Sequence, residues 1–112
     1  MKVLVIDDLQ HDKKIWDLLL KDYPAVETIH VSNADEAKDA LAENPDIDAV
    51  FTDHHLGLIT SQVIVELVRD MKVDAPLYLV TGREVPKGYS KKFKGVLAKG
   101  NLKRKLRTIF AK

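Results

Sequence analysis

Cysteine is absent from the 112-residue chain. That excludes a disulfide framework, a thiolate zinc site and a cysteine nucleophile. Long apolar runs are missing too: nothing approaches the roughly 20 residues of a membrane span. The opening MKVLVI is too short for a signal peptide and leads straight into two aspartates. Glycine and proline are sparse, five and four residues, with no Gly/Ser linker, repeat or low-complexity tract. A single domain over residues 1–112 is therefore expected, in a reducing cytoplasm. Apolar residues make up 46% and charged residues 31%, an ordinary balance for a folded chain rather than a disordered one. A chain of this length buries roughly two-thirds of its unfolded surface, enough for a core without staples.

The net charge of +1 hides a split. Residues 1–82 hold 7 Lys/Arg and 16 Asp/Glu, a net of −9; residues 83–112 hold 11 Lys/Arg and only Glu84, a net of +10. Such asymmetry reads either as a basic helix covering an acidic domain or as a face for an acidic partner.

Short apolar runs alternate with amphipathic stretches. Val3–Ile6, Val26–Val31, Asp48–Thr52, Leu77–Val80 and Gly95–Ala98 read as five strands, Pro76 opening the fourth. Between them, residues 11–21 set Ile15, Leu18 and Leu19 on one helical face. Ser32 or Asn33 can cap a second helix with an Ala34, Ala37, Leu41 stripe, ended by Asn44-Pro45. Thr60 or Ser61 can cap a third, with Ile64, Leu67, Val68 and Met71 at helical spacing. Residues 86–94 carry Pro86 and Gly88 and give a poor fourth helix. Asn101 can cap a fifth, with Leu102, Leu106, Ile109 and Phe110 facing inward. Five strands alternating with five helical stretches predict a parallel α/β sheet with right-handed crossovers.

The polar residues of interest fall just after strands. Asp7 and Asp8 follow the first, Asp53 the third, Thr81 and Gly82 the fourth, and Lys99 the fifth. Ligand sites in open α/β sheets lie beyond the carboxyl ends of strands. Carboxylates about 4 Å apart repel by about 4 kcal/mol per pair at an effective dielectric near 20, so they call for a cation. All-oxygen ligation suits Mg²⁺. An aspartate then remains to attack a phosphoryl group, while a lysine and a threonine donate to its oxygens. Each residue alone is ordinary turn chemistry. The combination is specific: an acid pair, an acid 45 residues on, Thr-Gly 28 further, Lys 18 further.

The segments VLVIDD (3–8), AVFTDHHL (49–56), LYLVTG (77–82) and GVLAKG (95–100) resemble the receiver domain of two-component response regulators over essentially the whole chain. The resemblance implies a (βα)5 flavodoxin-like, CheY-like three-layer sandwich with strand order 2-1-3-4-5. It implies that Asp53 accepts a phosphoryl group from a histidine kinase or phosphotransfer protein. Asp8, Asp53 and the His55 backbone carbonyl would bind Mg²⁺ directly, and Asp7 through water. Lys99, Thr81 and the backbone at His54 and Gly82 would contact the phosphoryl group. No catalysis is expected beyond the domain's own phosphorylation and dephosphorylation. With the last helix closing the chain, output is expected through protein contacts with a target the sequence does not name. A homodimer through the face of the fourth helix, fifth strand and fifth helix is one such contact.

This sequence departs from the family's pattern at the relay positions. Gly57 and Ser61 stand where the family usually has Pro and Gly. Val96 stands where a Tyr or Phe would swing inward, and Gly100 where Pro follows the lysine. The chemistry set is complete and the output switch is degraded at Val96. The alternative reading is a phosphorylation-independent pseudo-receiver that binds partners through its basic C-terminal face. A hydrolytic phosphatase lacks its second carboxylate, because residue 55 is His. His54 and His55, adjacent at a strand end, point to opposite sides and would not chelate one ion together. His11 and His30 carry no signal, and Trp16 reads as packing. Lys103, Arg104, Lys105 and Arg107 surround an apolar stripe with no nucleic-acid recognition module or base-stacking aromatic set.

Overall fold

The computed structural model describes residues 1–7, 10–53, 58–82 and 88–110, without the side chains of 10–13, 58–60 and Ser90. The elements are β1 (Lys2–Ile6), α1 (Gln10–Leu20), β2 (Glu27–Val31), α2 (Ala34–Glu43), β3 (Ala49–Asp53), α3 (Leu58–Asp70), β4 (Leu77–Thr81) and β5 (Gly95–Ala98), then α4 (Leu102–Phe110). Short 3-10 turns occupy Tyr89–Lys92 and Lys99–Asn101. All strand pairs are parallel, in the order β2-β1-β3-β4-β5. This is the doubly wound arrangement expected from the alternating pattern.

Burial follows from the pleat. Val3 to Ile6 in β1 and all five residues of β3 are buried, because these strands have helices on both faces. Val3, Val5, Ala49, Phe51, Val80 and Leu97 face α1 and α4. Leu4, Ile6, Val50, Leu77 and Leu79 face α2 and α3. Phe51 anchors the first layer: its ring lies 5.2 Å from Trp16, 5.2 Å from Tyr78 and 6.2 Å from Phe110. Pro76 serves as expected, its carbonyl accepting the Val50 N–H at 2.9 Å while its missing donor is not needed. Asn33 caps α2 by accepting the Glu36 N–H at 2.9 Å, and Glu36 reaches back to the Ser32 N–H at 2.7 Å.

Four expectations are corrected. Helix α1 buries Trp16 and Leu20 and leaves Ile15 47% and Leu18 70% exposed. The large indole takes the inward position against Phe51 and rotates the stripe away from Ile15. Ser61 does not cap a helix. It lies one turn inside α3, fully buried, with its hydroxyl hydrogen-bonded to the Tyr89 hydroxyl. Asn101 is not a cap either, since the Lys99–Asn101 turn winds straight into α4. A helix expected over 86–94 begins in residues outside the described set. From Gly88, whose φ of 83° breaks a right-handed helix, the chain makes only the 3-10 turn Tyr89–Lys92. The described residues therefore contain four α-helices, not five, and α4 is the helix counted fifth in the sequence.

Candidate functional site

Register delivers the acids to one edge. Ile6 pairs with Thr52, so Asp7 and Asp53, each one residue further along its strand, lie side by side. Both share the face that carries Val5 and Phe51. Asp53 ends β3 and is only 3% exposed. The Asp7 N–H donates to the Val31 carbonyl at 3.0 Å, continuing the β1–β2 ladder one step and fixing its backbone. One oxygen of each carboxylate, Oδ2, is shut off from solvent.

Lys99 completes the arrangement. It is the first residue after β5, and its Nζ stands 3.1 Å from Asp53 Oδ2. The pair joins residues 46 apart in sequence through two sheet crossovers. Burial of Asp53 is tolerable because this ammonium compensates its charge. Thr81, the last residue of β4, is 4% exposed and stands one step past Val80, the partner of Asp53. Gly82 lies along the Lys99 stem: a β-carbon there would sit 3.8 Å from Lys99 Cδ. Asp7, Asp53, Thr81, Gly82 and Lys99 thus gather at the carboxyl edge of the sheet. Asp8, His54 and His55 lie outside the described residues.

The donor set suits a hard cation: two carboxylates with shielded oxygens, adjacent, with no sulfur or imidazole among the described residues of the cluster. No group of three metal-ligating side chains occurs among the described residues. Mg²⁺ commonly takes only one or two carboxylates and fills its remaining positions with water and phosphate oxygens, so the pair is sufficient. Beside it a cavity of about 210 Å³ opens between α1 and the start of α4, lined by Asp7, Lys99, Trp16, Leu19, Leu102 and Lys103.

No family model matches the sequence, and no curated protein matches it. Solved structures do resemble it. The signal receiver domain of a putative Luxo repressor protein from Vibrio parahaemolyticus superposes with a TM-score of 0.80 at 16% identity, over 98% of this chain and 86% of that one. The response regulator protein TrrA from Thermotoga maritima, in complex with Mg²⁺-BeF, gives 0.79 at 21% identity, over 96% and 97%. A structure of the P1 domain of CheA3 in complex with CheY6 from R. sphaeroides gives 0.75 at 21%, over 99% and 97%. The fold is that of a response regulator receiver domain.

Three features of this fold go beyond what the sequence pattern specified. Val96, three residues before Lys99, is half-buried and packs into the α2/α3 layer. The Ser61–Tyr89 bond, with Lys92 Nζ donating to Gln62 Oε1 at 2.6 Å, clamps the Tyr89–Lys92 turn onto α3. One signal pointed that way: Ser61 stands three and four residues before Ile64 and Val65, at the head of the buried stripe. His30, on β2, has Nε2 3.4 Å from Asp17 Oδ1, a pairing no local pattern announces. The opposite, amino edge of the sheet carries its own charge cluster. There Lys2 Nζ stands 3.1 Å from Asp46 Oδ2. The hydrogen bond to Asp46 holds the Lys2 amine above its ordinary value and the Asp46 carboxyl below its own. No helix among the described residues is long and apolar enough to cross a membrane.

Proposed function

We propose that this chain is a phosphoacceptor of two-component signalling, taking a phosphoryl group on Asp53 from a histidine kinase or phosphotransfer protein. The supporting observation is Lys99 Nζ at 3.1 Å from a 97%-buried Asp53, with Asp7 alongside. A carboxylate oxygen of Asp53 attacks the phosphorus of a phosphohistidine. The new O–P bond forms as the N–P bond breaks, and the departing imidazole nitrogen takes its proton from water. In this reading the Lys99 ammonium stays beside the transferred oxygens and the Thr81 hydroxyl donates to one of them. Asp53, Asp8 and the His55 carbonyl would hold Mg²⁺ directly, and Asp7 through water. When bound, the ion offsets charge on the phosphoryl oxygens. TrrA with Mg²⁺-BeF and CheY6 with a P1 domain support this cofactor and donor class by analogy of fold. With valine at position 96, no ring swings between two environments, so output runs through other contacts. The chain performs no other reaction and works in the cytoplasm.

The exposed Lys103, Arg104, Lys105 and Arg107 on α4 favour a second reading, a pseudo-receiver that binds partners without phosphorylation. Labelled acetyl phosphate with saturating Mg²⁺ separates the two. The first reading expects acid-stable label on the wild type, none on Asp53→Ala, and full label on Asp74→Ala as a surface control. An unlabelled wild type sends the assignment to the second reading.

A further inference from the structure

We propose that the groove between α3 and the Tyr89–Lys92 turn docks an acidic amphipathic helix of a partner protein. The argument begins with the layers. The α1/α4 face of the sheet has a helix at each side of its centre, packed on β1, β3, β4 and β5. On the other face, α2 and α3 are followed, among the described residues, only by the 3-10 turn and Phe93. A groove of about 410 Å³ results along the side of α3, over the first residue of β4.

Its floor is apolar: Val65 and Leu77 at 8% and 7% exposure, with half-buried Val68 and Val73. Its rim is basic: Arg69, Lys72 and Lys92, opposed by a single lining acid, Asp74. Beyond the lining, exposed Lys91 and Lys94 balance exposed Glu66 and Asp70 on α3, so the lining cations set the sign of the rim. Val65, Val68 and Arg69 lie on α3 at i, i+3, i+4 spacing, so the groove tracks one ridge of α3, with Lys72 in the turn that follows. A second helix laid beside that ridge fits its side chains into it at the same repeat. Apolar anchors would meet the valines, and flanking Glu or Asp would meet the rim cations.

The chain's own chemistry selects among occupants. Its acidic helix, α2, has already buried Ala37, Ala40 and Leu41 in its own core, so it brings no apolar stripe to a second copy. A nucleic acid would set phosphates against Asp74 and find an aliphatic floor with no ring among its lining residues to stack on. The inference stands on the groove alone and does not depend on phosphorylation of Asp53.

The test uses the full chain, labelled with ¹⁵N, at low salt. The probe is a designed 16-residue helix with Leu at i, i+3, i+4 and i+7 flanked by Glu; the control carries Lys in place of Glu. The expected result is amide shifts centred on Val65, Val68, Lys72 and Lys92 for the acidic helix, at least tenfold weaker binding of the control, and at least tenfold loss in Arg69→Glu/Lys72→Glu. Should that double variant lose its amide dispersion, Arg69→Gln is expected to weaken binding about threefold. No shifts, shifts confined to Lys103–Arg107 on α4, or equal binding of the two helices overturns the proposal. So does a DNA or RNA oligonucleotide that shifts the groove residues more strongly, or self-association through them in sedimentation.

Discussion

The worth of the polar bonds that clamp the Tyr89–Lys92 turn onto α3 can be measured. Tyr89→Phe removes one hydroxyl while keeping the ring, whose centroid lies 5.4 Å from that of Phe93. The Ser61 hydroxyl, on a residue at 0% exposure, then loses this hydrogen bond. Losing one such bond costs about 0.5–1.5 kcal/mol. For 112 residues, an unfolding entropy of roughly 0.24 kcal/mol/K converts each kcal/mol into about 4 °C of melting temperature. A loss of about 2–6 °C is expected. Ser61→Ala should cost less, about 0.5–1 kcal/mol, because the half-buried Tyr89 hydroxyl can turn to solvent. The double variant decides the matter. If the two hydroxyls bond each other, the cycle in urea denaturation gives a coupling of about 1 kcal/mol. Costs that add to within about 0.3 kcal/mol would refute the reasoning and leave the turn held by ring packing alone.

Two further outcomes follow from other sites. Lys72, in the turn after α3, has φ 55°, with the Val73 N–H on the Val68 carbonyl at 3.1 Å. A side chain is strained there, so Lys72→Gly should raise stability by about 0.5–1 kcal/mol in urea denaturation; a loss would show that the lysine stem's packing outweighs the strain. At the amino edge, Lys2 lowers the Asp46 carboxyl below 3.8, so its contribution is present above that value and fades as pH falls through the lowered one. The stability gap between wild type and Asp46→Asn should therefore close on acidification in thermal melts, and shrink with added salt. The same bond raises Lys2 above 10.5, so the gap is full below that pH and closes again as pH rises through the raised value.

Local pattern carried much of this protein. Val3–Ile6 and Ala49–Phe51 read as buried strands because a strand covered on both faces needs apolar residues without alternation. Asn33 and Pro76 were legible because capping and the missing proline donor are properties of one or two residues. The gathering of Asp7, Asp53, Thr81 and Lys99 was legible because each stands at or just past the end of a strand, and in a parallel sheet all such ends meet at one edge. What sequence order could not supply was rotation and pairing. Helix α1 turns Trp16 inward at the expense of Ile15 because Phe51, 35 residues away, offers a ring to pack on. Ser61 left its expected capping role for a bond to a tyrosine 28 residues on. That Lys99 and Asp53 share one edge follows from the pattern of strand ends, but only the register of β3, β4 and β5 could set their 3.1 Å approach. Periodicity and turn chemistry depend on neighbours along the chain and are written in it. Which side chains meet across layers depends on a shared core, and that exists only once the chain has folded.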